Sequence, residues 1–215
     1  MKVGIIDADL LGRKRHRFPN LCCMKISSYH KKLGDTVELL MEYDGISKYD
    51  QVYIAKVFTD TIVPLGVIEL PNVTYGGTGF FYDKAKGLPQ EIEHSFPDYH
   101  LYDQWIEQMV KSGEDIRKFY WYTDFSIGYV TRGCFRKCPF CVNQKYSKVF
   151  KASPLSEFLD NTRKYVCLLD DNFLGLPEWE QALQELNQCG HKFHFKQGLD
   201  ERLITNHSAQ LLSNS

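Results

Sequence analysis

Three cysteines lie close together in the stretch Gly133-Cys-Phe-Arg-Lys-Cys-Pro-Phe-Cys141, at C-x3-C-x2-C spacing. Thiolates are soft ligands that suit iron–sulfur clusters or zinc. Structural zinc sites want four closed ligands, and ferredoxin clusters want four cysteines at other spacings. No fourth cysteine lies within this loop. Cys134, Cys138 and Cys141 on a [4Fe–4S] cluster would leave one iron without a protein ligand, the open position that a substrate or cofactor needs. The other four cysteines, Cys22, Cys23, Cys167 and Cys189, sit in apolar or helical contexts without ligand spacing, and they read as packing. The count of seven is odd, which in a reducing compartment fits buried thiols or metal ligands rather than disulfides.

The elements around the loop define how those thiols must be held. Ser126–Val130 reads as a strand that runs into the cysteine loop 131–145. A helix is predicted over Pro154–Arg163, with Ser153 as N-cap and Pro154 in the first turn. Tyr165–Leu169 is an apolar strand ending at Asp170-Asp171-Asn172, and Pro177–Cys189 is a helix closed by Gly190. Lys192–Phe195 is a strand ending at Gln197-Gly198, and His207–Leu212 begins another helix. Three successive βα units are the repeating element of a parallel barrel. Upstream, Lys2–Ile6 reads as a strand ending in Asp7, and Asn20–Leu33 as a helix with basic residues and Gly34 at its end. Thr36–Tyr43, Gln51–Phe58 and Asn72–Phe80 follow as further strands, the last running into a glycine turn. That order predicts a small, mainly parallel α/β sheet.

With Phe140 just before the last cysteine and Thr131-Arg-Gly ahead of the first, the loop resembles the signature loop of the radical S-adenosylmethionine (SAM) superfamily. The resemblance is specific over residues 126–202. It implies a (β/α) barrel, a [4Fe–4S] cluster, and SAM on the open iron, cleaved by one-electron reduction to a 5′-deoxyadenosyl radical that acts on an unknown substrate. It also implies a one-electron reductant such as flavodoxin or ferredoxin. Phe140, Asp170, Asp171, Asn172, Gln197, Gly198, Asp200 and Arg202 are the cofactor-binding positions it points to, since groups at the C-terminal ends of barrel strands face the site. Taken singly, the Asp-Asp pair also suits a helix cap, and Asp200 with Arg202 also suits a surface pair.

The N-terminal part resembles the cobalamin-binding-like domain that precedes the barrel in one class of these enzymes, with Gly76-Gly-Thr-Gly79 in place of its glycine turn. Asp7-Ala-Asp9-Leu-Leu-Gly12 puts Asp9 where that domain's cobalt-ligating histidine belongs. A carboxylate is a harder ligand than imidazole, so cobalamin is not expected. The expected fold class is thus α/β: a small Rossmann-like parallel-sheet domain at 1–81, a connector at 82–123, and a partial radical SAM barrel of about three βα units at 124–215.

Composition sets the remaining bounds. The chain has 215 residues, 43% apolar and 25% charged, as in an ordinary soluble globular protein. A net charge of -1 gives no overall field for nucleic acid or an anionic membrane, and the short basic run Arg13–Arg17 reads as a solvated loop. No export signal opens the chain and no apolar run reaches membrane-span length, so the expected location is cytoplasmic. A complete barrel has about six βα units. The half present here reads as a truncated fragment, in preference to a barrel completed by a partner chain or a degenerate remnant. Two other functions compete: an iron–sulfur binding or electron-transfer protein (or inactive fragment) without SAM cleavage, and a zinc-stabilised scaffold.

Overall fold

A computed structural model describes all residues, 1–215. It is an α/β protein of two compact units, Met1–Thr123 and Asp124–Ser215. No helix is long and apolar enough to cross a membrane.

The first unit is built on four parallel strands: β1 (Lys2–Asp7), β2 (Thr36–Leu39), β3 (Gln51–Ala55) and β4 (Val73–Gly76), in the order β2-β1-β3-β4. β1 is central and its residues from Val3 onward are buried, as a strand covered on both faces requires. Val3 and Ile5 pack with Cys23, Met24 and Ile26 of the helix Leu21–Lys32, while Ile6 packs on the other side with Leu40, Tyr49, Val52 and Ile54. That helix starts where Asn20 accepts the amides of Cys22 and Cys23, and it ends in His30, Lys31 and Lys32 before Gly34.

Three strands are shorter than their sequence patterns. β3 stops at Ala55 because the chain beyond it turns back to give the Val57 amide and the Thr61 hydroxyl to Asp9, each at 2.6 Å. β4 stops at Gly76, and the next residues form the short helix Thr78–Phe81. β2 stops at Leu39, and Leu40 turns into the apolar cluster under β1.

The stretch 82–123, expected as a connector, packs within the first unit. Ile92, Tyr99, Tyr102, Trp105, Phe119 and Tyr122 are buried with Val3 and Ile5, and the helix Asp103–Lys111 contributes to that layer. Its prolines and charges hide aromatic residues that fill one side of the sheet. Tyr102 also donates to Asp7 Oδ2 at 2.9 Å and receives the Asn20 amide at 3.0 Å.

The second unit carries three parallel strands in sequential order: β5 (Phe125–Gly128), β8 (Tyr165–Leu168) and β9 (Lys192–Phe195). Between the first two lies a short antiparallel pair, β6 (Thr131–Arg132) with β7 (Phe150–Lys151). The helix Trp179–Gln188 crosses from β8 to β9 and buries Ala182, Leu183 and Leu186, and the helix Asn206–Ser213 follows β9 behind a Thr205–Ser208 capping box.

The helix expected over Pro154–Arg163 does not form; only the turn Leu155–Glu157 is helical. Phe158 leaves the helical path at φ -146° and buries its ring against Gly128, where no Cβ would fit. Asp160 then bonds Ser126 through its backbone and turns the chain by accepting the Thr162 amide at 2.9 Å. Asp and Thr side chains that capture backbone groups in this way compete with helix propagation. The first of the three expected βα units therefore has a loop and strap in place of its helix.

Two outcomes follow. Phe158→Ala empties a fully buried aromatic site and should cost the second unit about 3–5 kcal/mol in denaturant unfolding. In the first unit, burial pushes the Asp7 carboxyl from 3.8 up to about 7, against the pull of Tyr102 and Leu10. A carboxyl that keeps its proton to higher pH when folded favours folding at low pH and loses that advantage as pH rises from 3.8 through about 7. Urea midpoints across this window should show Asp7→Asn gaining stability relative to wild type as pH rises, then levelling off.

Candidate functional site

The cysteine loop leaves the C-terminal end of β5, passes through β6, and is closed at its neck by β7. The Ala152 amide donates to the Val130 carbonyl at 2.8 Å just outside that neck. Gly133 sits at φ +87° with the Lys148 carbonyl where a side chain would be, so the narrow neck requires glycine there.

The acidic run at the end of β8 holds the loop in place. Asp170 is buried and accepts the Thr131 amide and hydroxyl, both at 2.7 Å, and the Val130 amide at 3.2 Å. Burial raises its carboxyl to about 6, although these three donors pull the other way. Asp171 accepts the Gly133 amide at 2.8 Å and Asn143 Nδ2 at 2.6 Å. Asn172 is buried and donates through Nδ2 to Cys134 Sγ at 3.4 Å, while its Oδ1 is buried with no hydrogen-bond partner. All three residues, expected at a cofactor, thus face the cysteine loop, and both aspartates act on it as positioning groups.

Cys134, Cys138 and Cys141 are free and half-buried. Besides Asn172, the Arg136 amide donates to Cys134 Sγ at 3.3 Å and the Asn143 amide to Cys141 Sγ at 3.4 Å. Arg202 is held by Asp200, which accepts its Nε at 2.7 Å. Amide donors on sulfur are a means by which proteins tune thiolate-bound clusters. No three of the chain's His, Cys, Asp and Glu side chains gather where a single metal ion would sit.

Asp200 ties the loop to the turn after β9. Its Oδ2 accepts Arg136 Nε at 2.8 Å and its Oδ1 accepts Arg202 Nε at 2.7 Å. Arg202 and then Arg136 hold the carboxyl down at about 2, with burial opposing them. Gln197 and Gly198 form an exposed turn, Gly198 at φ +79°. Phe140 is 83% exposed, so it stands out from the loop instead of filling a core.

The sequence reading missed several of these residues. Arg136 joins Asp200 across 64 positions, and Gln144 Nε2 donates to the carbonyls of Cys138 and Pro139 at 3.1 and 3.0 Å. Lys137 Nζ donates to the Gln144 carbonyl at 2.6 Å. The one signal available was the polar Asn143-Gln144 pair directly behind the last cysteine. Cys23 and Cys167, read as packing, are fully buried, and burial raises both thiols, that of Cys167 to about 12.

In the first unit, Asp9 is closed off by its own fold. Besides Val57 and Thr61 it lies 3.4 Å from the Phe58 amide, and it is buried. Set against family models, curated proteins and solved structures, the chain matches none.

Replacing Asp170 with Ala would strand two backbone amides and the Thr131 hydroxyl in a buried neck. We expect a loss of about 2–4 kcal/mol in the second unit. Hydrogen exchange should speed up first at residues 130–133.

Proposed function

We propose that the second unit binds a [4Fe–4S] cluster through Cys134, Cys138 and Cys141 and belongs to a radical SAM protein acting on an unknown substrate. One observation carries this reading. Three free, half-buried thiols share a loop at the C-terminal end of a parallel strand, and the sulfurs of two of them accept amide donors. A cubane takes each thiolate on a different iron, so its ligands surround a volume and need not converge on one atom.

When bound, the cluster and SAM would supply the electron and the radical; the chain's own residues bind and orient them. Asp170 and Asp171 fix the loop neck. Asn172 presents an unpaired buried oxygen beside Cys134, an acceptor suited to the amino group of SAM. Gln197, Arg202 and Phe140 are the remaining groups on this proposed face. Arg202 offers a cation to a carboxylate, and Phe140 an aromatic surface to an adenine ring. The (β/α) barrel, the electron donor and a cytoplasmic location belong to the same reading. The sequential order β5-β8-β9 supports the barrel, because parallel barrels add each strand beside the last.

Anaerobic reconstitution followed by electron paramagnetic resonance tests this. The reduced protein should give a [4Fe–4S] signal that shifts when SAM is added. Cys134→Ala, Cys138→Ala and Cys141→Ala should each abolish the signal, whereas Cys167→Ala should retain it. A cluster signal indifferent to SAM would leave an iron–sulfur protein without SAM cleavage. A colourless protein with stoichiometric zinc would overturn the proposal.

A further inference from the structure

The basic run Arg13–Arg17, expected as a solvated loop, lies at a particular place in the first sheet. β1 leads to β2 on one side, and the chain then returns to place β3 on the other side of β1. The loops leaving the C-terminal ends of β1 and β3 meet at this switch point, tied together by Asp9 and by the Arg13–Asp60 pair, and in open parallel sheets ligands bind outside such a point. There Arg13, Lys14, Arg15, His16, Phe58 and Asp60 line a wide-open cleft of about 500 Å³.

The lining has one sign of charge in excess, three fixed cations against the single carboxylate of Asp60. It is also ordered. The Arg13 guanidinium stacks over Phe58 with 4.2 Å to the ring centroid, and His16 meets the same ring edge-on at 5.8 Å. Arg13 Nη1 grips both oxygens of Asp60 at 2.6 and 2.7 Å, so an oxyanion already fills part of its donor fork. Lys14 and Arg15 are exposed, and their side chains make no hydrogen bond or ion pair. Arg17, by contrast, turns away to the Lys14 and His16 carbonyls and toward Glu114.

We propose that this cleft binds a small organic phosphate, its phosphate groups held by Lys14, Arg15 and the Arg13 fork. The phosphate displaces Asp60 from Arg13, and the remaining volume holds the organic part. A net charge of -1 over the whole chain favours a small anion over a long polyanion, which would need a wider basic surface. The site lies wholly within the first unit and owes nothing to the cluster reading.

Calorimetric titration of the full chain with inorganic pyrophosphate and with ADP tests it. Both should bind saturably. Lys14→Ala/Arg15→Ala changes only exposed side chains and should weaken both by about ten-fold or more, since charged hydrogen bonds contribute about 1.5–3 kcal/mol. Asp60→Asn should tighten both, because it removes the internal competitor for Arg13; a merely structural ion pair would give no gain in affinity. Absence of saturable binding, indifference to the double variant, or no tighter binding by Asp60→Asn would each overturn the site. Binding of single-stranded oligonucleotides with affinity rising with length, and no binding of ADP, would overturn the small-ligand assignment. Unchanged thermal melts would show that the variants are folded.

Discussion

Both units depend on one constraint: a carboxylate buried at the end of a parallel strand must be given donors, and the nearest donors belong to the loop of the adjacent strand. Leaving such groups unpaired costs about 1–3 kcal/mol each, and more when one is charged. Asp9 behind β1 draws in the amide of Val57 and the hydroxyl of Thr61 from the loop after β3. Asp170 behind β8 draws in Val130 and Thr131 from the loop after β5. In each case the carboxylate joins two loops at the same end of a sheet. Those ends are where both candidate sites lie.

The same constraint explains why the first crossover of the second unit has no helix. From β5 the chain must deliver Thr131 to Asp170, then Gly133 to Asp171, before it can return. The β6–β7 pair closes that excursion, and the strap after it covers β5 with Phe158 while Ser126 and Asp160 bond across the gap. A loop anchored at both ends holds its thiols without a helix beneath it. Cooperative hydrogen bonding replaces the rigidity that a crossover helix would supply.

Features encoded locally were legible in the sequence. β1 shows in its unbroken apolar run, the helix Leu21–Lys32 in its Asn20 cap and terminal Gly34, and the cysteine loop in its spacing. Features set by distant partners were not. Serine, proline and leucine at 153–155 look like a helix start, but Phe158 is committed to a space above Gly128, thirty residues earlier. Residues 82–123 look like a connector because their apolar side chains follow no single period, yet Tyr102 is anchored to Asp7 across 95 positions. Asp170 and Asp171 were recognisable as important by type and place. Whether they face a ligand or a neighbouring loop depends on backbone amides, which the sequence does not distinguish.

The charge around the cysteines follows from how Asp200 is shared. One carboxylate serves two guanidiniums, those of Arg136 and Arg202, at 2.8 and 2.7 Å. A one-to-one pair would cancel, whereas this trio carries one positive charge in excess. It also fixes where that charge sits, because Arg136 is on the cysteine loop and Arg202 follows β9. Asp171 bonds Gly133 and Asn143 instead of either arginine, so its own negative charge stays at the neck of the loop. On the proposed reading the loop holds an anionic thiolate cluster, and net charge and hydrogen bonds to sulfur are the levers by which a protein sets the potential of such a group. Asp200 therefore acts as a spacer between two cations: removing it would free both guanidiniums and untie the cysteine loop from the turn after β9.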